Sequence, residues 1–100
     1  MQIDEYADIF NSLSHPIRLA IACALSKKEK CNVKTMSERL KVSQSSLSQH
    51  IKILKNAKII KGYREGNIIW YKLENELARK LLTNIKINIC EEFEKRNKES

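Results

Sequence analysis

The stretch MSERLKVSQSSLSQHIKIL, residues 36–54, decides the fold of this chain. Its first part predicts a short helix that ends near Leu40, and Ser43 is a residue type that caps the start of another helix. That second helix is predicted from about Gln44 to Asn56, with an apolar stripe of Leu47, Ile51 and Leu54. Two short helices joined by a three-residue turn, over about residues 35–56, are typical of a helix-turn-helix.

The outer face of the second helix is small, polar and uncharged to basic, which lets a helix approach the major groove of DNA. The residues that we expect to read base edges are Gln44, Ser45, Ser46, Ser48 and Gln49. Lys52, Lys61 and Arg64 are expected to bind phosphates, the last two also at the minor groove. Serines are also common near helix N-termini, and isolated surface lysines often serve solubility alone. His50 lies nearer the apolar stripe, so we interpret it as a structural or phosphate-contacting residue.

The N-terminal part of the chain predicts two further helices. Apolar residues recur at spacings of three and four over Ile3 to Leu13. Pro16 favours the first turn of a following helix, and Ser14 just ahead is the predicted cap. The second helix, Ile17 to Leu25, is apolar on almost every side and should therefore be the most buried.

A charged loop is predicted over Lys27 to Lys34, with Cys31 inside it. Nearby lysines would favour the thiolate of Cys31, which would then be reactive. Thr35 followed by Glu38 fits a capping box, so the third helix is expected to start there.

A hairpin and a long helix complete the predicted order. Two β-branched and aromatic runs, within residues 59–73, flank Glu65-Gly66-Asn67 and indicate a wing. Asn75 can cap a last helix that we expect to reach about residue 95. Its apolar stripe is formed by Leu77, Ala78, Leu81, Leu82, Ile85, Ile89 and Phe93. With the first helix, this stripe is the predicted interface of a homodimer.

The composition predicts one domain over residues 1–100, because a chain of this length buries a single core. The net charge is +7, and residues 41–80 carry nine Lys or Arg against three Asp or Glu. A local basic excess is typical of a surface that meets nucleic acid, and equally of a solvated lysine-rich face.

Several classes of protein are not expected. No apolar run reaches the length of about 20 residues that a membrane helix needs, and the first ten residues do not resemble a signal peptide. We therefore expect a cytoplasmic protein, in which three cysteines cannot form a disulfide framework. Two histidines, no Gly-rich loop and no paired carboxylates indicate a protein that is not an enzyme and holds no cofactor.

Three motifs resemble the ArsR/SmtB family of repressors. The family's opening motif is similar to Ser14-His15-Pro16-Ile17-Arg18-Leu19 of this chain. Its recognition motif is similar to residues 36–54. Its wing is similar to Arg64-Glu65-Gly66 together with Trp70-Tyr71-Lys72-Leu73. The resemblance implies a homodimeric winged helix-turn-helix repressor, mainly α with a β-hairpin, that binds double-stranded operator DNA. Lys41 and Lys58 stand where many relatives have Gly, which costs some stability if these positions need positive φ.

The signal that the protein senses is predicted from its cysteines. The family has two common metal sites. At the first, near the start of the third helix, this sequence has Asn32 and Lys34 in place of the two cysteines. The second takes Asp and His from the last helix, which contains neither residue here. Cys23 and Cys90 instead resemble the pair of the persulfide- and redox-sensing, BigR- and SqrR-like branch, which implies release of DNA when a reactive sulfur species or oxidant links them. Alternatives are a metal- or metalloid-responsive repressor that uses the same thiols, a winged-helix module that does not bind DNA, and two cysteines that are only buried side chains.

Overall fold

A computed structural model describes residues 2–84, 91–93 and 95–96. Within these residues the chain forms five helices and a small antiparallel sheet, in agreement with a mainly α fold that carries a hairpin. The elements are α1 (Gln2–Leu13), α2 (Pro16–Lys27), β1 (Cys31–Asn32), α3 (Val33–Leu40), α4 (Gln44–Asn56), β2 (Ile60–Glu65), β3 (Ile68–Leu73) and α5 (Glu76–Thr83). Residues 91–93 and 95–96 are also helical.

The start of α3 differs from the prediction. Asn32 is its N-cap, and the Asn32 Oδ1 atom accepts a hydrogen bond from the Thr35 backbone N–H at 2.8 Å. Thr35 therefore lies inside the helix, and the predicted capping box of Thr35 and Glu38 is wrong. An Asn is at least as good an N-cap as a Thr, so the helix begins earlier in the chain.

The start of α2 differs in a similar way. His15 is its N-cap, and the His15 Nδ1 atom accepts a hydrogen bond from the Ile17 N–H at 3.1 Å. The predicted cap, Ser14, instead donates from its hydroxyl to the Asn11 carbonyl at 2.6 Å and so closes the end of α1. The predicted caps of the other two helices are confirmed, since Ser43 accepts from the Ser46 N–H and Asn75 from the Ala78 N–H.

The wing is the predicted hairpin with one more strand beside it. β2 pairs with β3 from Ile60 opposite Leu73 to Glu65 opposite Ile68. Gly66, at φ +64°, opens the two-residue turn, a position that favours glycine. β1 pairs with the other edge of β3, which gives the strand order β1-β3-β2. The predicted loop over residues 27–34 is therefore right only for residues 28–30, because α2 ends at Lys27 and β1 and α3 include residues 31–34.

The core is built around α2, as its sequence predicts. Ala20, Ile21, Ala22 and Leu25 are fully buried, and α2 packs against α1, α4, α5 and β3. Ala78, Leu82 and Phe93 from the predicted last stripe are buried in the same core, whereas Leu77 and Leu81 are half-buried against it. Ile85 and Ile89 lie outside the described residues. Along the described chain, no helix is long and apolar enough to cross a membrane.

Lys58 carries the strain that the sequence comparison with Gly-containing relatives suggests. Its φ is +60°, and that of Lys41 is +57°. We expect Lys58→Gly to stabilise the protein by about 0.5–1 kcal/mol, because relief of the left-handed strain exceeds the entropy that glycine adds to the unfolded chain. The midpoint temperature of thermal unfolding should then rise by about 2–8 °C. Lys55→Gly, in the last turn of α4, is the matched control and should lower the midpoint temperature, because glycine is unfavourable within a helix.

Candidate nucleic-acid interface

The buried stripe of α4 fixes which of its side chains face the solvent. Leu47 and Leu54 are completely buried and Ile51 is 2% exposed, so the helix cannot rotate about its axis without exposing them. Five of the predicted DNA-contacting residues of α4 are exposed, namely Gln44, Ser45, Ser48, Gln49 and Lys52. Ser45, Gln49 and Lys52 lie opposite the stripe, and Gln44 and Ser48 lie to one side of it. The structure thus brings these five together on one solvent-facing side of α4.

Ser46 differs from the other predicted base readers because it is half-buried. Its backbone N–H donates to the Ser43 hydroxyl at 3.2 Å, and its side chain lines a cleft beside His15 and Arg96. Ser46 therefore lies at the edge of the polar face, toward the start of α2.

The two predicted cations of the wing, Lys61 and Arg64, are exposed on β2. The wing is tied to the body of the domain by Lys30, whose Nζ atom lies 3.3 Å from the Glu65 Oε1 atom and 4.5 Å from the centre of the Trp70 ring. Residues 30 and 65 are distant in sequence, so sequence reasoning missed this contact. It holds the tip of β2 beside the strand that precedes α3.

A groove separates α4 from the wing. Gln44 and Ser48 line one wall, and the turn residue Asn67 with Ile68 lines the other. Lys34, which was not predicted as a DNA contact, reaches the same groove from the first turn of α3. The sequence did not indicate this position of Lys34, because it predicted a loop up to Lys34 and a helix that starts at Thr35. With Asn32 as the N-cap, Lys34 lies in the first turn of α3.

The middle of α4 is held by Arg18 of α2. The Arg18 Nε atom donates to the Ser12 carbonyl at 2.6 Å, and Arg18 Nη1 lies 3.4 Å from His50 Nδ1. The His50 ring also packs on that of His15, with 4.3 Å between their centres. Burial lowers the pKa of His50, and so do the neighbouring His15 and Arg18. These contacts support the interpretation of His50 as a structural residue.

Of the two cysteines predicted to form the switch, the structure describes Cys23 but not Cys90. Cys23 lies on α2, is 5% exposed, and forms a small buried pair with Ala24 apart from the main core. Cys90 lies outside the described residues. Cys31 is buried in β1, and burial raises the pKa of its thiol despite the nearby Lys28 and Arg39. The expectation that Cys31 is a reactive thiolate is therefore wrong.

Metal-binding groups do not gather in the described part of the chain, where no three His, Cys, Asp or Glu side chains lie close enough to hold an ion. Cys90 is not among the residues to which this applies. The exposed polar face of α4 and the adjoining wing are thus the site that the structure assembles most completely.

The arrangement of these elements defines a winged helix-turn-helix, and known proteins share it. A family model described as "Bacterial regulatory protein, arsR family" matches residues 15–61. The biofilm growth-associated repressor of Agrobacterium fabrum is 33% identical over 86 residues, which are 86% of this chain and 73% of that protein. The chain therefore belongs to the arsR family of bacterial regulatory proteins.

Solved structures agree with this assignment. The transcriptional repressor BigR from Xylella fastidiosa has a TM-score of 0.76 and 28% identity, over 82% of this chain and 83% of that chain. The homodimeric winged helix-turn-helix DNA-binding domain of a Mycobacterium bovis protein, a possible ArsR-family regulator, shares the fold. Its TM-score is 0.72 and its identity 21%, over 82% of this chain and 75% of that chain. The proteins of Agrobacterium fabrum and Xylella fastidiosa are repressors, which is consistent with the expectation that the chain is not an enzyme.

Proposed function

We propose that the chain is a homodimeric transcriptional repressor that binds operator DNA through α4 and the wing. The observation that carries this proposal is the buried stripe of α4, which presents Gln44, Ser45, Ser48, Gln49 and Lys52 on one exposed face. Short polar side chains allow close approach to base edges, and Gln49 is long enough to make two hydrogen bonds to one base. The repressors among its relatives support the direction of regulation.

The charges around α4 support contact with DNA rather than with a protein partner. Lys52 is exposed on α4, and Lys61 and Arg64 are exposed on the wing. Lysine and arginine at the rim of a recognition helix neutralise phosphates and fix the protein on the duplex. The α4 face proper carries no acidic residue, since the sequence of this helix is QSSLSQHIKILKN.

Gln49→Ala is expected to reduce the preference for operator over random DNA by about 1–3 kcal/mol, because a bidentate contact to a base would be lost. The operator for this test is a duplex that the protein itself enriches from a random pool, called the selected operator below. Fluorescence anisotropy with the selected operator and with a scrambled duplex gives the ratio of the two dissociation constants.

Lys61→Ala is the matched control on the wing. It should weaken binding to both duplexes alike, because a phosphate contact carries no sequence information. An unchanged ratio for Gln49→Ala would show that the exposed face of α4 does not read bases. If no duplex were enriched at all, the proposal of a DNA-binding repressor would fail.

Dimerisation is supported by α1. Ile3, Tyr6 and Phe10 recur at helical spacing and are 70%, 37% and 58% exposed, beside the buried Ile9 and Leu13. Such a stripe is an uncovered apolar surface in a chain of this size, and a second copy would cover it. The homodimeric Mycobacterium bovis domain with the same fold supports this assignment. Of the predicted stripe of the last helix, Ala78, Leu82 and Phe93 are buried in the chain's own core, so only the half-buried Leu77 and Leu81 would extend the interface.

The regulatory part of the proposal is a thiol switch, in which a link between Cys23 and Cys90 releases the operator. Cys23 supports it by its place on α2, because α2 packs directly against α4 and α5. A persulfide RSSH can make the link: two protein thiols lose two electrons and two protons, and RSSH is reduced to RSH and H₂S. With a second RSSH, one sulfur atom is inserted between the two cysteines, and two RSH and one H₂S are formed.

A further inference from the structure

Both histidines of the chain meet at one joint between α2 and α4. The sequence holds two histidines, at positions 15 and 50. His15 is the N-cap of α2, His50 lies on α4 directly after Gln49, and the ring centres are 4.3 Å apart. Arg18 completes the joint, because it binds the Ser12 carbonyl at the end of α1 and also reaches His50.

The hydrogen bonds of the joint define the protonation of both rings. Arginine has only donors, so the contact of 3.4 Å from Arg18 Nη1 requires His50 Nδ1 to accept. A backbone N–H also only donates, so the contact of 3.1 Å from Ile17 requires His15 Nδ1 to accept. An imidazole whose Nδ1 atom accepts is neutral and carries its proton on Nε2. The joint as built therefore needs two neutral histidines.

We propose that His15 and His50 form a pH-sensitive joint, which holds α4 in its DNA-reading position only while both rings are neutral. This inference rests on the proposed DNA binding by α4. A proton on His15 removes the acceptor that caps α2. A proton on His50 removes the acceptor for Arg18 and places a second cation beside it. Acidification thus removes the hydrogen bond that caps α2 and the polar contact between Arg18 of α2 and His50 of α4.

The charges near His50 act in the same direction. In the described part of the chain, α4 packs against α1, α2, α3 and β2. The causes that lower the pKa of His50 are burial, then His15 at the cap of α2, then Arg18 of α2, and all three act in the same direction. Because the folded chain binds this proton more weakly than the unfolded chain does, stability is complete above the ordinary pKa of about 6.5 and falls as the pH drops below it.

The effect on DNA follows from the place of His50 on the recognition helix. Gln49 and Lys52 project from the same turn of α4 as His50, so a shift of the helix at His50 moves both against the duplex. A misplaced base-reading residue loses its hydrogen bonds while the other contacts persist, so the loss falls chiefly on the operator.

Two variants separate the titration from the contacts. His15→Asn keeps a side-chain acceptor at the N-cap, and His50→Gln keeps one toward Arg18, yet neither side chain titrates. For the wild type, we expect binding of the selected operator to weaken about tenfold or more between about pH 7.5 and about pH 5.5, since histidine is the side chain that titrates in this range. The double variant has no histidine and should change less than about twofold. A wild-type affinity that stays constant or rises on acidification would overturn the proposal, and so would an equal loss in the double variant.

A second measurement needs no DNA. The wild type has two histidines, so NMR shows two imidazole signals that the single variants assign. We expect the His50 signal to titrate below the ordinary range and the thermal stability to fall with it, less so in either single variant. A His50 that titrates at or above pH 6.5 would refute the joint even if the protein binds its operator. Absence of operator binding at about pH 7.5 would instead refute the proposed function.

Discussion

A persulfide donor is expected to release the wild-type protein from its selected operator, while the Cys23→Ser and Cys90→Ser proteins stay bound. A covalent link between these residues would tie α2, on which α4 rests, to the C-terminal part of the chain. A tenfold loss of affinity requires only about 1.4 kcal/mol of differential stability between two conformations. Fluorescence anisotropy before and after the donor, followed by reduction with dithiothreitol, measures the change and its reversal.

Cys31→Ser is the matched control for this switch. Cys31 is buried in β1 and burial raises the pKa of its thiol, so it is a poor nucleophile and its variant should respond like the wild type. The mass of the treated protein distinguishes a direct disulfide from a bridge with an added sulfur atom. Normal release of DNA by both the Cys23→Ser and the Cys90→Ser proteins would contradict the switch and leave Cys23 as a core residue.

The helix-turn-helix could be predicted from sequence because its signals are local. Ser43 caps α4, and the spacing of Leu47, Ile51 and Leu54 defines a single buried stripe. Both features act within one or two turns of helix, so they do not depend on the rest of the fold. The same stripe predicts which side chains of α4 are exposed, and the structure agrees for all but the half-buried Ser46.

The elements that were missed depend on contacts between distant residues. β1 is two residues long, too short for any pattern, and it exists because Tyr71 and Trp70 of β3 pair with Cys31 and Asn32. That pairing places Asn32 at the start of α3, which replaces the predicted cap Thr35. It also buries Cys31, whose sequence neighbours alone suggested a reactive thiol.

The joint between α2 and α4 escaped prediction for a similar reason. On the helical wheel, His50 lies near the buried stripe, which indicates only that it is not a base reader. Its partners Arg18 and His15 are 32 and 35 positions away in sequence (50 − 18 and 50 − 15), and the packing of α2 on α4 brings them together. The functional arrangement of these three residues is thus a property of the tertiary fold.

Phe10→Glu on α1 is expected to convert the dimer to a monomer and to weaken operator binding by about 100-fold or more. Phe10 is 58% exposed in the single chain and forms the exposed stripe of α1 together with Ile3 and Tyr6. Burial of a glutamate in an apolar interface costs the free energy of its desolvation. A monomer engages one half-site at a time, and loss of the linked second half-site removes a factor of about 10²–10⁴ in affinity.

Asn11→Glu is the matched control, because it adds the same charge one residue further along α1. Asn11 is exposed and its position is about 100° round the helix from Phe10, away from the stripe. Light scattering at micromolar concentration should give a dimer for the wild type and Asn11→Glu, and a monomer for Phe10→Glu. A wild-type protein with a monomeric mass would refute the dimer directly. A Phe10→Glu protein that remains dimeric would remove the α1 stripe from the interface and leave α5 as its main element.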